Sequence, residues 1–251
     1  MSSATTLREL HVPGTPLVVP NAWDAASARL VEEAGFAAVA TSSNATAAVL
    51  GYDDGEYAPV DDVLAAAARI ARSVSVPVTV DFERGYHLAP AELVERFVAT
   101  GAVGLNLEDS DPATGRMIDA GAQEDFLAAV RAAAGDALVI NARIDGFVRR
   151  AGTADEQLAT ALDRGNRYLA AGADCVYPIG VGDLDLICTL ATQIDGPVNV
   201  GYGQGVNSVA DYAARGVARV SFGPMFQRHL YATFAGTVLP ALTADRNPFT
   251  A

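Results

Sequence analysis

Two carboxylates at the end of an apolar stretch, VPVTVDFERGY (76–86), are the first residues that indicate chemistry. β-Branched residues dominate the part before Asp81, which is typical of a buried strand. Asp81 and Glu83 are two positions apart, so in an extended chain both side chains point the same way. Carboxylates so placed repel each other unless a proton is shared or a cation lies between them. The pattern indicates either a divalent-metal site or a solvated strand end with incidental acids.

Two further acids can complete such a metal site. Glu108 lies near the end of a second apolar stretch, VGLNLED (103–109), and Asp54 lies upstream in a predicted long loop, NATAAVLGYDDGEYAP (44–59). Asp109 should point away from Glu108 and have a structural role. Mg²⁺ favours oxygen ligands with several positions left to water, whereas the scarcity of histidine disfavours zinc. We therefore predict a Mg²⁺ site formed by Asp54, Asp81, Glu83 and Glu108.

Arg143 is the candidate for binding the anionic part of a substrate. It ends the apolar stretch ALVINAR (137–143), among strand ends that are rich in acids. A guanidinium group there can pair with a carboxylate or a phosphate through two parallel hydrogen bonds. The alternative is an internal ion pair with Glu108 or Asp81.

A short turn offers backbone N–H groups to an anion. It consists of Ser43, Asn44 and Ala45, and its N–H groups could hold a carboxylate or an enolate oxygen. Further polar side chains follow other apolar stretches, and we include three of them as candidates for substrate binding or catalysis: Trp23, Tyr177 and Asn199.

These candidates recur at one end of a regular series of elements. Repeated strand–helix order implies a parallel sheet, and eight such units in 251 residues indicate a single (β/α)8 TIM barrel. A doubly wound sheet would need a glycine-rich phosphate turn after its first strand, where this chain has PNAWDAAS. Active sites of such barrels lie at the C-terminal ends of the strands. The predicted strands are 17–20, 36–43, 77–83, 103–109, 137–143, 173–178, 197–203 and 217–223.

Composition limits the class of partner and of reaction. We predict one barrel domain over 1–251, with an N-terminal arm (1–16) and a closing helix and tail (224–251). The net charge of −13 argues against nucleic acid or an anionic membrane as a partner. All 17 basic residues are arginine, which excludes catalysis through a lysine Schiff base. No apolar stretch suits a signal peptide or a membrane span, so we expect a cytoplasmic protein.

Five segments in order resemble the isocitrate lyase/phosphoenolpyruvate mutase family. They are PNAWDAASARLVEEAGF, TSSNATAAVLGYDDGE, VPVTVDFERGY, GLNLEDS and INARIDGF. The resemblance spans about Asn21 to Gly223 and implies a (β/α)8 barrel whose last helix is often swapped between subunits. It also implies a homodimer or homotetramer, Mg²⁺ or Mn²⁺ as the cofactor, and a 2-oxo acid or its enolate as the reacting species.

The resemblance also implies roles for individual residues. The metal-binding acids of the family fall on Asp54, Asp81, Glu83 and Glu108, of which Asp81 is the expected direct ligand. The others act largely through bound water, and Glu83 replaces a more usual aspartate. The carboxylate-binding arginine of the family falls on Arg143. Its Ser–Gly–Leu oxyanion turn falls on Ser43, Asn44 and Ala45, which differ at the second and third positions.

One departure from the family restricts the reaction. Isocitrate and methylisocitrate lyases carry a Lys-Lys/Arg-Cys-Gly-His loop where this chain has SDPATGRMIDAGAQ (110–123). Without that cysteine, isocitrate cleavage is disfavoured, and we expect a Mg²⁺-dependent carbon–carbon lyase or decarboxylase. Its substrate would be a small 2-oxo or 2-hydroxy carboxylic acid that reacts through a metal-stabilised enolate. Water, Tyr52 or Tyr177 would supply the proton. The alternatives are a phosphonopyruvate/phosphoenolpyruvate mutase or hydrolase and a non-catalytic metabolite-binding homologue.

Overall fold

Strands and helices alternate as predicted in a computed structural model that describes residues 2–203 and 207–249. The strands are β1 (Leu17–Val19), β2 (Asn21–Ala22), β3 (Val39–Thr41), β4 (Val78–Asp81), β5 (Gly104–Glu108), β6 (Val139–Ile144), β7 (Cys175–Pro178), β8 (Asn199–Gly201) and β9 (Arg219–Ser221). The helices are α1 (Ser3–Glu9), α2 (Ala25–Glu33), α3 (Ser43–Leu50), α4 (Val60–Ala71), α5 (Pro90–Val98), α6 (Ala120–Ala134), α7 (Ala154–Ala170), α8 (Leu184–Gln193), α9 (Val209–Ala213), α10 (Met225–Thr233) and α11 (Leu239–Thr243). Met1, Thr250 and Ala251, the outermost residues of the predicted arm and tail, lie outside the described residues.

The strands form a parallel (β/α)8 barrel, which confirms the predicted fold. β2 to β7 are hydrogen-bonded side by side in chain order, and β1, β9 and β8 form a second, three-stranded sheet. A parallel bridge between Val176 and Val198 links β7 to β8. Pro20 alone separates β1 from β2, so the predicted first strand connects the two sheets. The nine strands therefore correspond to the eight that the sequence predicts.

Register brings candidate residues from different strands into one row. Glu108 on β5 pairs with Arg143 on β6, and Arg143 pairs in turn with Tyr177 on β7. Two residues nearer the amino end of β5, Asn106 pairs with Asp81 on β4. Because all these strands are parallel, their carboxyl ends meet at the same mouth of the barrel.

The opposite end of the barrel is closed by α1, the helix of the predicted N-terminal arm. Leu7 is fully buried among apolar side chains from the inner barrel, including Leu17 and Val139. Gly104 makes this packing possible, because a Cβ there would meet Leu7 at 2.7 Å and Thr79 at 2.8 Å. A larger apolar core lies between the strands and the surrounding helices.

The segment after β3 differs from the prediction. The sequence suggested a loop over 44–59, but α3 occupies Ser43–Leu50. The Ser42 side chain caps this helix by accepting from the Ala45 backbone N–H, and Gly51 ends it with φ of 87°. The alanine-rich composition favours helix once such a cap is present. The expectation of a loop was therefore wrong for the first half of the segment.

In the region of the predicted closing helix, the chain is continuously helical from Met225 to Thr243. A π-helical segment, Phe234–Val238, connects α10 to α11. Large apolar side chains remain exposed along it, among them Leu230, Phe234 and Leu242. Across the two described stretches of the chain, no helix has both the length and the apolar character needed to span a bilayer.

A buried histidine lies at the closed end of the barrel. His11 is 6% exposed, and its Nδ1 lies 2.8 Å from the carbonyl oxygen of Leu7. Burial, reinforced by the positive charge of Arg219, lowers the pKa of His11 from 6.5 to about 4. The folded protein therefore holds this imidazole neutral at pH values where the unfolded chain protonates it.

We expect His11 to make the fold sensitive to mild acid. As the pH falls from 7 to 5, the unfolded state gains a proton that the folded state rejects, and this costs about 2 kcal/mol of stability. Urea unfolding at both pH values measures the loss, which His11→Gln should largely abolish. His229→Gln, at an exposed histidine, is the matched control. An equal pH dependence in His11→Gln and the parent protein would contradict the assignment.

Candidate active site

A cavity of about 340 Å³ opens at the carboxyl ends of the strands, where the sequence predicted the site. The strands and the segments that follow them supply its polar lining: Asn21, Thr41, Ser43, Asn44, Asp54, Asp81, Asn106, Arg143, Tyr177, Arg219, Ser221 and Arg228. Of the four predicted metal-site acids and the predicted anion-binding arginine, five residues in all, three line it directly: Asp54, Asp81 and Arg143. Its volume suits a small metabolite.

Arg143 is held on the cavity wall by two carboxylates. Its Nη2 lies 2.6 Å from Glu108 Oε2, and its Nε donates to Asp145 Oδ1 at 2.6 Å. Of the two internal ion pairs considered from sequence, the one with Glu108 is present. Burial disfavours the charged form of Asp145, but Arg143 and the Ser110 hydroxyl lower the pKa of this carboxyl group. The guanidinium is thereby fixed in orientation while it still lines the cavity.

Asp109 has the structural role that the sequence indicated. Its carboxylate is fully buried and accepts from the Asp145 backbone N–H at 2.8 Å. Its Oδ2 accepts from Arg164 Nη1 and from the Tyr168 hydroxyl, both at 2.9 Å. Asp109 thus faces the helix layer and fixes the chain at Asp145, directly behind Arg143.

Asp81 presents its carboxylate to the cavity in a fixed orientation. Oδ2 accepts from the backbone N–H of Ser43 at 3.1 Å and from its hydroxyl at 3.0 Å. Oδ1 accepts from Asn106 Nδ2 at 3.3 Å. These neutral donors orient the carboxylate without neutralising it, so it can still bind a cation.

Glu83 lies behind Asp81 and is held by other contacts. Its Oε1 accepts from the Tyr86 hydroxyl at 2.6 Å, and Oε2 accepts from the Glu56 backbone N–H at 2.7 Å. Burial, together with repulsion by Asp54 and Asp81, raises the pKa of Glu83 to about 7. Its backbone has φ of 47°, a strained conformation for a residue with a side chain.

The acids of the predicted metal site repel one another across the cavity. Desolvation and the charge of Asp81 raise the pKa of Asp54, although much of that residue remains exposed. Burial raises the pKa of Glu108, against the opposing effect of Arg143, and Asp145 and Asp81 add to the rise. Excess negative charge therefore surrounds Asp81.

This donor set fits a cation held mainly through water. In residues 2–203 and 207–249, no three His, Cys, Asp or Glu side chains converge closely enough to ligate one ion together. Glu83 and Glu108 are instead engaged by Tyr86 and Arg143. Mg²⁺ commonly keeps several waters and takes only one or two carboxylates, so Asp81 with water-mediated help matches its requirements.

The predicted oxyanion turn is the first turn of α3. The N–H of Ser43 donates to Asp81, and the N–H of Ala45 donates to the Ser42 hydroxyl at 3.4 Å. Ser43 and Asn44 line the cavity, but Ala45 lies outside its lining. Two of the three expected N–H donors are thus committed within the protein. The clearest contribution of this turn is to orient Asp81.

Of the other predicted residues, one lies inside the cavity and three lie outside it. Tyr177 lines the cavity, and its hydroxyl occupies the space beside Gly201, where a Cβ would lie 2.8 Å from it. Asn199 is fully buried and donates to Ser221 Oγ at 3.2 Å, but it does not reach the cavity. Trp23 lies at shallower surface pockets beside α2. Tyr52, the other tyrosine considered as a proton donor, is 39% exposed and also lies outside the lining.

Sequence reasoning missed two arginines that line the cavity. Arg219 on β9 is 2% exposed, and Arg228 on α10 donates to Asn44 Oδ1 at 3.0 Å. The sequence did contain a signal for Arg219: it lies inside the apolar stretch VARVSF (217–222), and arginine is rarely fully buried in a strand unless it is paired. The second lies on a helix, where an arginine is unremarkable.

A parallel barrel with acids and arginines around a cavity at its carboxyl mouth is the architecture of a barrel enzyme. The family model described as phosphoenolpyruvate phosphomutase matches residues 7–240. The chain belongs to this family, which confirms the resemblance drawn from its five segments.

Individual relatives differ in the reaction that their names state. 2-Methylisocitrate lyase of Salmonella typhimurium is 31% identical over 211 residues, covering 75% of this chain and 70% of the relative. Oxaloacetate decarboxylase of Rhodopseudomonas palustris is 29% identical over 222 residues, covering 83% and 74%. A solved structure from Burkholderia cenocepacia J2315, provisionally described as a phosphonomutase, has a TM-score of 0.89 at 39% identity and covers 94% of this chain and 98% of that one.

We expect Asp81→Ala to remove divalent-metal binding. Substitution of outer-shell residues typically changes metal affinity by about 10- to 100-fold, so loss of Asp81, the expected direct ligand, should weaken Mg²⁺ or Mn²⁺ binding by at least about 100-fold. Isothermal titration calorimetry measures the affinity. Asp53→Ala, at an exposed acid beside Asp54, is the matched control for the change in charge. Equal Mg²⁺ affinity in Asp81→Ala and the control would overturn the metal-site assignment.

Proposed function

We propose that the protein is a divalent-metal-dependent carbon–carbon lyase or decarboxylase. Its substrate is a small 2-oxo or 2-hydroxy carboxylic acid, which reacts through an enolate. The observation that carries this proposal is the pairing, on one cavity wall, of the oriented Asp81 carboxylate with the fixed guanidinium of Arg143. A cation site and an anion site side by side suit a molecule with a carboxylate next to a polarisable carbonyl.

The chain's own groups bind and orient the substrate. A Mg²⁺ ion held by Asp81 would supply Lewis-acid polarisation of the 2-oxo group. Arg143 binds the neighbouring carboxylate, and Glu108 and Asp145 keep its guanidinium in place before the substrate arrives. For a 2-oxo acid, such preorganised charge stabilises the enolate that forms when the bond from C3 to the departing carbon breaks: its electron pair forms the C2–C3 double bond, and the carbonyl π pair moves onto the 2-oxo oxygen.

Tyr177 is the proton donor that the cavity supports best. Burial raises the pKa of its phenol, against the effect of Arg143, so the hydroxyl is protonated at neutral pH. It can give this proton to the enolate carbon after the carbon dioxide or carbonyl fragment has left, and water then restores it. Tyr177 is preferred to Tyr52 because it lines the cavity and Tyr52 does not.

A phosphonate reaction is the second candidate, and the arginines favour it. A phosphonate needs more positive charge than one arginine supplies. The cavity lining contains Arg219 and Arg228 in addition to Arg143. A mutase or hydrolase acting on phosphonopyruvate therefore remains a distinct proposal for the same cavity.

A ¹H NMR time course separates these functions. Purified protein with Mg²⁺ is incubated with oxaloacetate, 2-methylisocitrate or phosphonopyruvate, each beside an EDTA control and a protein-free Mg²⁺ control. We expect pyruvate to form from one of the first two substrates above both controls. Tyr177→Phe should slow that reaction by at least about 100-fold, the usual contribution of a positioned proton donor.

Each other outcome of the time course has a definite meaning. Turnover of phosphonopyruvate alone would select the second candidate. Absence of turnover in all three tubes would contradict the lyase proposal and favour a metabolite-binding homologue. Full activity in Tyr177→Phe would remove Tyr177 from the reaction while leaving the lyase assignment intact.

We further propose that the protein is a homodimer or homotetramer. The support is the exposed apolar surface of the closing helix, where Leu230 is 52% exposed and Phe234 and Leu242 are each 54% exposed. An apolar helix face of this kind is typical of a surface covered by another subunit.

We expect light scattering to give two or four times the 25.9 kDa mass of one chain. The double variant Phe234→Asp/Leu242→Asp should dissociate, because charges cannot be buried unpaired in an apolar interface. Ala128→Asp, on the exposed side of α6, is the control for added charge. A monomeric parent protein would contradict the proposal.

A further inference from the structure

Arg219 is a charged side chain in the interior of the barrel. It lies on β9, pairs in register with Leu17 on one side and Asn199 on the other, and is 2% exposed. It is among the largest side chains that are fully buried. Removing a guanidinium from water costs several kcal/mol unless carboxylates and hydrogen bonds compensate for the lost hydration.

The described residues provide little such compensation. Within the two described ranges, Nε and Nη1 of Arg219 have no hydrogen-bond partner, and no carboxylate forms an ion pair with the side chain. The other interior arginines differ in this respect. Arg143 is paired with Glu108 and Asp145, and Arg164 is paired with Asp109.

The neighbours of Arg219 are electrically neutral. The Cys175 thiol is buried with its pKa raised to about 12, and Tyr177 is also protonated. His11, close enough to be influenced by the charge of Arg219, is neutral above pH 4. Asp81 is the acid that acts on the guanidinium electrostatically, and it does so without a direct ion pair. The positive charge of Arg219 is therefore not cancelled locally.

Arg219 borders the cavity at a deeper level than Arg143. It precedes Ser221 by two residues on a strand that runs toward the cavity mouth, and both side chains line the cavity. The protonated hydroxyl of Tyr177, whose side chain also lines the cavity, is close enough to be influenced by the charge of Arg219, and we call this deep part of the lining the cavity floor. The floor thus carries positive charge and polar neutral groups, while the acids lie on the wall around Asp81.

We propose that Arg219 anchors a second anion-binding subsite at the cavity floor, separate from the one at Arg143, and that this subsite takes a carboxylate group. The inference rests on the proposed function, since it assumes that the first carboxylate lies beside Asp81 and Arg143. A ligand with two anionic groups then forms an ion pair with each arginine. A monocarboxylate of the same size pairs with Arg143 and leaves Arg219 buried and unpaired. Arg219 consequently discriminates between dianions and monoanions.

Binding of succinate and butyrate tests this subsite, because the two have equal chain length and differ by one carboxylate. Isothermal titration is performed on the full chain with Mg²⁺. Arg219→Met should weaken succinate binding by about 30-fold, the usual effect of losing a charge-assisted hydrogen-bonded pair, and change butyrate binding by less than about twofold. Arg219→Lys should recover part of the preference for succinate. Arg143→Met should weaken both ligands.

Thermal stability without ligand distinguishes a binding role from a structural one. An unpaired buried cation destabilises the empty protein, so Arg219→Met should raise the melting temperature by about 3 °C. A lower melting temperature together with unchanged succinate affinity would overturn the proposal. Unchanged succinate affinity in a stably folded Arg219→Met variant would overturn it by itself.

The succinate-binding test of the Arg219 subsite does not depend on whether the protein turns over any of the three substrates. Succinate selectivity that depends on Arg219 in a protein inactive toward all three substrates would support the subsite and contradict the lyase proposal. An active enzyme whose Arg219→Met variant retains the parent KM and the parent preference for dianions would contradict the subsite and leave the lyase proposal standing.

Discussion

Arg143 lies between two buried carboxylates, Glu108 on β5 and Asp145 just beyond β6, and the wall of the cavity depends on these ion pairs. Asp145 is held in turn through its backbone N–H by Asp109, which Arg164 anchors from α7. The network crosses from the helix layer to the barrel interior, so the guanidinium cannot turn without disrupting packed elements. Removing one partner would leave a buried charge uncompensated, which makes the arrangement rigid.

The same network connects the unusual loop after β5 to the cavity. The Ser110 hydroxyl donates to Asp145 Oδ2 at 2.5 Å, and the loop folds on itself through a hydrogen bond from Asp111 N–H to the Arg116 carbonyl oxygen at 2.8 Å. The loop has no cysteine, histidine or lysine, and at this contact it positions Asp145. The polar groups that line the cavity come from the strands and from the segments that follow them.

Much of the fold could be predicted from periodicity. Alternating apolar strands and amphipathic helices require a parallel sheet with helices outside it, and eight repeats close that sheet into a barrel. The start of α2 follows from local chemistry: Asp24, a residue type favoured at helix N-caps, accepts from the Ser27 backbone N–H. The helix at Ser43–Leu50 was missed because its start depends on a single side-chain cap, in which Ser42 Oγ accepts from the Ala45 backbone N–H. In an isolated segment, such a capped helix is close in free energy to loop conformations.

By itself, the sequence determined which chemistry was available: no lysine, few histidines, and acids at the ends of consecutive strands. It also determined the end of the barrel at which those groups meet, because parallel strands bring their carboxyl ends together. Only the tertiary structure decided that Glu108 binds Arg143, that Glu83 binds Tyr86, and that the Arg219 side chain has no carboxylate partner among the described residues. Such pairings depend on the distances between strands and on the direction of each side chain. Both are set by packing of the whole barrel, so neighbouring residues in the sequence do not predict them.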